Sequence, residues 1–215
     1  MIKLEHTDVY GWGAAIRGMR NPMNSWDKGD TIFEPNCSCD EVGCGYQCFI
    51  GDNDHTLMMK LAKAGPVHAK YRRMITVTVD ITAPLYWWKE FDTYKVGTVA
   101  NSCSTMHKIH AKEFTLDDFS HEHLSCGSLH VLNTTIEHLN FCRRWFLTDK
   151  HKDWWWQMIQ LLPTSYNQKR TILLNYEVLV GMYRDRKNHK LDEWHTFCDW
   201  ITSLPYSEII TGGDD

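Results

Sequence analysis

The clearest alternation of apolar and polar positions lies between Met74 and Ala83. The segment MITVTVDITA is rich in β-branched residues and repeats with a period of two, as expected of a strand with one buried face. Pro84 follows and opens the segment PLYWWKEFDTY, and proline is favoured in the first turn of a helix. The pattern therefore predicts a strand that leads directly into a helix.

Helical spacing characterises much of the rest of the chain. Before the strand, DHTLMMKLAKA predicts a helix with Asp54 as its N-cap and Gly65 as its stop. In the second half, four segments are interpreted as helical: TTIEHLNFCRRWFL, DWWWQMIQLLP ending at Pro163, NQKRTILLNYEVLVGMYRDR and DEWHTFCDWITSL. The side chains expected to point inward are Ile136, Leu139, Phe141 and Trp145 in the first, and Trp194, Phe197, Trp200 and Ile201 in the last. Helices grouped on a limited amount of sheet predict an α+β fold.

Length and composition predict one folded domain over residues 1–215. Of the 215 residues, 43% are hydrophobic and 23% are charged, which is typical of a globular protein. The net charge of −4 argues against a general nucleic-acid binder. No signal peptide and no apolar run near the length of a membrane span is found in the sequence, so we expect a cytoplasmic protein without a membrane partner.

The region from Asn24 to Asp52 is predicted to be a long insertion between regular elements, because it is rich in Gly, Asp, Asn and Cys. Its Cys-rich loop, at about residues 35–50, contains Cys37, Cys39, Cys44 and Cys48. Four thiolates could hold a zinc ion tetrahedrally, but the spacing lacks paired C-x2-C motifs. Reduced loop cysteines are the favoured interpretation, and a zinc site is the alternative. Three of the four other cysteines are scattered and are interpreted as small buried residues: Cys126, Cys142 and Cys198.

An ordered series of motifs resembles the flavin-dependent thymidylate synthases (ThyX). Their signature is Ala-Pro, a helix carrying Arg-Gln, and then R-H-R-x-x-S-x-N-x-x-S-x-R-Y. Here Ala83-Pro84 take the first position, Lys89-Glu90 fall where Arg-Gln is usual, and Thr93-Tyr94-Lys95 occupy the place of R-H-R. Asn101 and Ser104 supply N-x-x-S after one additional residue, and Met106-His107 replace the final Arg-Tyr.

The resemblance extends to most of the chain outside the Cys-rich insert and residues 112–142. Arg20 falls in an early Ala-Arg-x-Ser element, and Gly65 and His68 match a Gly-His segment that follows a helix. Leu162-Pro163, Asn175 and Arg186 then match the family's Leu-Pro, Asn and Arg in order and without a gap. The agreement in order and spacing is what carries the resemblance.

The resemblance implies a ThyX-like fold, with an antiparallel sheet, packed helices and a homotetramer whose sites are shared between subunits. It also implies transfer of a one-carbon unit from methylenetetrahydrofolate to C5 of dUMP or a related pyrimidine nucleotide, with reduction by FADH2. FAD is then the cofactor, and NADPH and methylenetetrahydrofolate are co-substrates. No covalent nucleophile is expected, because the cofactor makes and breaks the bonds while the protein orients the reactants.

Site residues follow from the same resemblance, position by position. Those implied for the nucleotide are Glu90, Lys95, Asn101, Ser104, Thr105 and Arg186. Those implied for the flavin are Thr93, Tyr94, Lys95, Val96, Asn175 and His68. Lys95 and Arg186 are the cations expected at the phosphate or the pyrimidine, and Tyr94 stands where the family has a histidine.

Three departures leave a second interpretation open. Thr93 and Met106 replace arginines, and Glu90 places a carboxylate where the family has a neutral amide. The alternative is therefore a catalytically inactive ThyX-fold protein that binds a nucleotide or a flavin. Simpler roles also remain for individual residues. Asn101 and Ser104 are compatible with turns, Lys95 and Arg186 with surface charges, and the Trp87–Trp88 pair with the core.

Overall fold

The computed structural model describes residues 2–35 and 46–212, in which strands and helices alternate irregularly along the chain. The strands are β1 (Lys3–Tyr10), β2 (Ile32–Pro35), β3 (Tyr46–Phe49), β4 (Thr76–Pro84), β5 (Val99–Ser102) and β6 (Asn167–Asn175). The helices are α1 (Trp12–Arg20), α2 (Asp52–Lys63), α3 (Leu85–Phe91), α4 (Cys126–Asp149), α5 (Lys152–Leu161), α6 (Tyr176–Arg186), α7 (Asp192–Thr202) and α8 (Glu208–Thr211).

The main sheet has four strands in the order β1-β4-β6-β5. Strand β5 is antiparallel to β6, with Asn101 opposite Thr171 and Ser102 opposite Arg170. Strands β2 and β3 form a separate antiparallel pair, in which Ile32 lies opposite Phe49. This mixture of helices and antiparallel sheet confirms the α+β class.

The described residues divide into two compact units. The first comprises those within Met1–Thr7, Thr78–Leu173 and Asn188–Phe197, and the second those within Asp8–Val77, Leu174–Lys187 and Cys198–Asp215. A single domain over the whole chain stays a prediction. None of the helices in the described part combines the length and the hydropathy required to cross a membrane.

An aromatic cluster forms the core of the first unit beside β4. The indole ring of Trp87 has its centroid 4.8 Å from that of Trp194, 4.9 Å from that of Trp88 and 5.1 Å from that of Phe91. Trp87 and Trp88 are fully buried, which confirms their predicted place in the core. The inward side chains of β4 lie on every second residue, Val79, Ile81 and Ala83, as the period-two pattern predicted.

The predicted N-cap of α2 is wrong. The cap is Gly51, and Asp54 is instead a fully buried residue in the first turn. Its carboxylate accepts hydrogen bonds from Arg20 Nε at 2.6 Å, from the backbone N–H of Asp30 at 3.0 Å, and from the Thr31 backbone and hydroxyl at 3.0 and 2.7 Å. The side chain of Asp30 takes over the capping role, because it accepts from the backbone N–H groups of Asn53 and Asp54. The predicted stop at Gly65 is confirmed by its φ of 99°.

The sequence analysis predicted a helix over the whole segment that begins at Asn167, but only the second part of this segment is helical. Residues 167–175 form strand β6, and the helix begins only at Tyr176. Asn175 marks the change, because its side-chain oxygen accepts a hydrogen bond from the backbone N–H of Val178 at 3.0 Å and so caps α6. A short apolar run such as ILL fits a buried strand as well as a buried helix, and the pairing of this segment with β5 decides in favour of the strand.

Two predicted burial patterns also need correction. In α4, Phe141 and Trp145 are 40% and 45% exposed and contact the ring of Trp154 on the next helix. The buried face is made instead by Leu132, Ile136, Leu139 and Cys142. Cys142 and Cys198 are buried as predicted, whereas Cys126 is exposed at the start of α4.

Only part of the Cys-rich loop can be compared with its prediction. Cys37, Cys39 and Cys44 lie outside the described residues, and Cys48 lies in β3. Burial and the nearby charge of Asp54 raise the pKa of the Cys48 thiol to about 11. Within the described residues, no group of His, Cys, Asp or Glu side chains is arranged to hold a metal ion.

Two glycines in the second unit are expected to respond oppositely to alanine. Gly181 lies inside α6, where an added Cβ would meet nothing within 4 Å. Gly181→Ala should therefore raise the free energy of unfolding by about 0.5–1 kcal/mol, because alanine is the better helix former. Gly11, before α1, has a φ of 92°, and its Cβ would lie 2.0 Å from the carbonyl oxygen of Met74. Gly11→Ala should lower the free energy by at least about 1–3 kcal/mol. Urea unfolding of both variants measures the difference, and equal shifts of the same sign would contradict it.

Candidate functional site

The segment in the place of R-H-R forms a tight turn at the end of α3. The hydroxyl of Thr93 donates to the carbonyl oxygen of Glu90 at 2.7 Å, and the hydroxyl of Thr98 donates to that of Tyr94 at 2.6 Å. Gly97 adopts a φ of 81° between them. Lys95 and Val96 are exposed at the tip. Thr93 therefore closes the helix end, while Lys95 presents a cation to solvent.

Glu90 lies in a cluster of polar and aromatic side chains within the first unit. Its Oε2 accepts a hydrogen bond from Trp194 Nε1 at 3.2 Å and lies 3.1 Å from His189 Nε2. The rings of Tyr94 and His189 each contact the indole of Trp194, with centroid distances of 6.2 and 6.3 Å. We call Glu90, Tyr94, His189 and Trp194 the Glu90 cluster. It brings together two residues that the sequence assigned to the site, Glu90 and Tyr94, and two that it missed.

The tautomer of His189 follows from its two contacts. The backbone N–H of Leu191 donates to Nδ1 of His189 at 3.2 Å, so that nitrogen acts as an acceptor. In the neutral ring the proton then lies on Nε2, which faces the Glu90 carboxylate. Two N–H donors thus stabilise the charge of Glu90. This arrangement weakens the repulsion that the carboxylate would exert on an anionic ligand nearby.

The N-x-x-S segment spans the end of an edge strand and the turn that follows. Asn101 is exposed in β5, so it belongs to a strand and not to a turn. The hydroxyl oxygen of Ser104 accepts from the backbone N–H groups of Met106 and His107 at 3.3 and 2.9 Å, which is the turn role weighed for this residue. Thr105 is half-buried next to it. These two bonds use only the hydroxyl oxygen of Ser104, so its hydroxyl hydrogen can be donated to another acceptor.

Arg170, opposite Ser102, is a cation that sequence reasoning missed. Its guanidinium lies 4.1 Å from the centre of the Trp88 ring, donates to Asp92 at 2.7 Å, and donates to the side chain of Gln168 at 3.0 Å. A half-buried guanidinium fixed on an aromatic face is well ordered for binding. Its position in the segment QKRTILL gave no sign of these contacts.

The other predicted flavin and nucleotide residues belong to the second unit. His68 is exposed after Gly65 and lines a cavity of about 300 Å³ together with Lys70 and Tyr71. Asn175 caps α6 through its side-chain oxygen, which accepts from the backbone N–H of Val178, and its NH2 group is not used in that bond. Arg186 is half-buried in the last turn of α6.

A larger cavity of about 560 Å³ also lies in the second unit, between the end of α2, one face of α6 and α8. Arg72 is buried in its wall, where its Nε lies 2.9 Å from Glu177 Oε2 and its Nη1 donates to the carbonyl oxygen of Ile209 at 3.0 Å. Lys63, Arg184 and Lys187 also line it. The sequence analysis did not assign any of these side chains to a site.

The fold of this chain is similar to that of two solved structures. Two crystal structures of the flavin-dependent thymidylate synthase ThyX from Helicobacter pylori, both with FAD and dUMP, align with 99% of this chain and with 98% and 97% of theirs. Each alignment has a TM-score of 0.65 and 14% sequence identity. The chain has the ThyX fold. No protein-family model and no curated protein matches the sequence. The likeness in fold confirms the ThyX-like architecture predicted from the motif series, and the chemistry must be argued from individual residues.

Proposed function

We propose that this chain is a divergent enzyme of the flavin-dependent thymidylate synthase type. It would transfer a one-carbon unit from methylenetetrahydrofolate to C5 of dUMP or a related pyrimidine nucleotide. The observation that carries the proposal is the ThyX fold over nearly the whole chain, in neighbours that hold FAD and dUMP, combined with a motif series in the same order. We extend the proposal to NADPH as the reductant and to a cytoplasmic homotetramer with shared sites.

The side chains that would meet the nucleotide fit an anionic ligand. Lys95 is an exposed cation at the tip of its turn, and it would contact the phosphate as a point charge. Ser104 uses its oxygen for two backbone N–H groups, so its O–H would donate to a phosphate oxygen. Asn101 and Thr105 would flank this contact, and Arg186 would face the phosphate or the pyrimidine.

The side chains that would meet the flavin supply donors and a ring. Asn175 would donate through its NH2 group, Tyr94 would stack or donate through its hydroxyl, and His68 is exposed for a polar contact. Thr93 and Val96 would contact the flavin through the turn that they form with Lys95. When bound and reduced to FADH2 by NADPH, the flavin would supply the hydride that completes the methyl group, and the protein would orient it against the pyrimidine and exclude water.

One observation favours a second candidate, a ThyX-fold protein that binds a nucleotide or a flavin without the reaction. The hydroxyl of Thr93 is engaged by the Glu90 carbonyl oxygen, in a place where the family has an arginine. That position cannot supply positive charge to a substrate or a flavin. Binding of dUMP or FAD without turnover would support this candidate over the enzyme.

The proposal is tested by purifying the protein natively and identifying its retained small molecules by mass spectrometry. Protein loaded with FAD is then supplied with NADPH, methylenetetrahydrofolate and dUMP tritiated at C5. Release of tritium to water that requires both NADPH and methylenetetrahydrofolate supports the enzyme. Flavin uptake without tritium release from C5-labelled dUMP or dCMP contradicts the proposed enzyme activity and supports the second candidate, a protein that binds without turnover.

Glu90→Gln is expected to strengthen dUMP binding by about tenfold, equivalent to about 1.4 kcal/mol. The substitution removes a negative charge from the site, and the amide oxygen still accepts from Trp194 Nε1. Isothermal titration calorimetry with dUMP measures the change, with Glu137→Gln on the exposed face of α4 as the control. A weaker affinity in Glu90→Gln, or the same gain in the control, would show that the carboxylate does not face the nucleotide.

A further inference from the structure

Arg170, in β6, is held by three side chains of the first unit. Its guanidinium carbon lies 4.1 Å from the centre of the Trp88 ring, its Nη1 donates to Asp92 Oδ1 at 2.7 Å, and its Nε donates to Gln168 Oε1 at 3.0 Å. Only 13% of the Arg170 side chain is exposed. The Trp88 ring is itself fixed, because it is buried and its Nε1 donates to the carbonyl oxygen of Gln168 at 3.0 Å. The guanidinium therefore has one well-defined position.

The bond to Asp92 connects Arg170 to the turn from Thr93 to Thr98, which we call the Lys95 turn. Asp92 is the residue that ends α3, and it directly precedes this turn. Half of the Asp92 side chain is exposed, and an ion pair with an exposed member contributes little to the stability of the whole protein. Its local effect is to fix where the Lys95 turn leaves the helix.

The bond to Gln168 connects Arg170 to the segment from Asn101 to His107, which we call the Ser104 segment. Gln168 is buried, and its Nε2 donates to the carbonyl oxygen of Cys103 at 2.6 Å. Its amide therefore accepts from Arg170 on one side and donates to the Ser104 segment on the other. The strand that enters this segment, β5, has only four residues, all of them exposed. A side-chain link just beyond β5 thus has a large share in fixing the position of Ser104.

We propose that Arg170 is a positioning residue, which sets the distance between the Lys95 turn and the Ser104 segment. The inference rests on the proposed function, because that function assigns both segments to one nucleotide. Arg170 acts through the two segments and not as a ligand of the phosphate, since its charge is balanced by Asp92. Arginine suits this role because its planar fork makes two directed N–H bonds while it covers a ring, whereas the ammonium of lysine is a point charge.

The experiment uses Arg170→Met in the purified full-length chain supplied with FAD. Methionine keeps an unbranched side chain against the Trp88 ring but loses both N–H bonds. Backbone amide exchange should become about tenfold faster in both segments, because each gains a local opening motion. The amides of Tyr94 and His107 report it, since they donate to Phe91 O and to Ser104 Oγ. Calorimetry should show about tenfold weaker binding of dUMP.

Lys169→Met is the matched control, because Lys169 is the adjacent residue of β6 and is also ion-paired. Its Nζ lies 3.0 Å from Asp80 Oδ2 and 3.7 Å from Glu5 Oε2. This variant should exchange its amides and bind dUMP as the wild type does. Both variants lose an ion pair of a half-exposed kind, so urea unfolding should shift by similar amounts. A difference in dUMP affinity between them is then not caused by general destabilisation.

Asp92→Ala separates the two links. It should speed amide exchange at Tyr94 but not at His107, because the bonds through Gln168 remain. The inference is overturned if Arg170→Met leaves exchange unchanged in either segment, or if Lys169→Met has the same effects. Normal dUMP binding by Arg170→Met with faster exchange would refute the positioning role and leave the proposed function standing. A wild type that binds no dUMP, while Arg170→Met loosens both segments, would refute the proposed nucleotide and leave the link through Arg170 standing.

Discussion

Replacing Asp54 with alanine is expected to lower the free energy of unfolding by about 3–5 kcal/mol. The carboxylate is fully buried and accepts hydrogen bonds from Arg20, from two backbone N–H groups and from the Thr31 hydroxyl. Its removal leaves the Arg20 guanidinium, which is itself buried, without its countercharge. Urea unfolding followed by tryptophan fluorescence measures the loss.

Asp52→Ala is the matched control, because Asp52 lies in the same first turn of α2 but is exposed. Its effect should stay within about 0.5 kcal/mol. If both variants lose the same small amount, the network around Asp54 contributes little to the stability of the second unit.

The stabilisation by Asp54 should also depend on pH. Burial alone would raise the pKa of its carboxyl, but hydrogen bonds from Thr31 and Arg20, the Asp30 backbone N–H and the charge of Arg20 together lower it. A carboxyl whose folded pKa is depressed contributes stability above its unfolded pKa, and that contribution is lost as the pH falls through the folded pKa. The difference between the wild type and Asp54→Asn should therefore be constant near neutral pH and shrink below about pH 4. A difference that grows in acid would contradict this assignment.

Trp87→Ala is expected to destabilise the first unit by about 3–5 kcal/mol, the range for removing a large aromatic side chain from a core. The ring is fully buried and has its centroid within 5.7 Å of those of Trp88, Phe91, Trp194 and Phe197. No other side chain can fill the cavity without repacking this cluster. Thermal and urea unfolding of the variant measure the loss.

Trp156→Ala tests whether burial, rather than the residue type, causes this effect. Trp156 lies on α5 and is 39% exposed, so its removal should cost about 1 kcal/mol or less. Trp87→Phe gives an intermediate case. It removes an indole N–H that has no hydrogen-bond partner among the described residues, and this gain offsets part of the lost volume. Equal losses in Trp87→Ala and Trp156→Ala would refute the assignment of Trp87 to the core.

Sequence reasoning succeeded where the deciding interactions are local. The alternation in β4, the stop at Gly65 and the end of α5 before Pro163 all depend on residues within a few positions of each other. The sequence analysis failed where an interaction with a residue distant in the sequence determines the local structure. Asp54 was predicted to cap a helix, but its carboxylate is buried and accepts a hydrogen bond from Arg20, which lies 34 residues away in the sequence. The residues after Asn167 were predicted to be helical, but they pair with β5 and form a strand.

The candidate site divides in the same way. The turn of Thr93 to Val96 and the local role of Ser104 follow from nearby backbone groups. The partners of Glu90 do not, because Trp194 is 104 residues away in the sequence. From the sequence alone, the Glu90 carboxylate is unfavourable beside an anionic substrate. In the structure, the N–H groups of Trp194 and His189 face this carboxylate and offset part of its charge.

The measurement that tests the central claim most directly is uptake of FAD by the purified protein, followed by tritium release from C5-labelled dUMP with methylenetetrahydrofolate and NADPH. The account predicts a yellow protein that retains stoichiometric FAD and releases tritium only when both co-substrates are present. A colourless protein that takes up no added FAD and releases no tritium would contradict it.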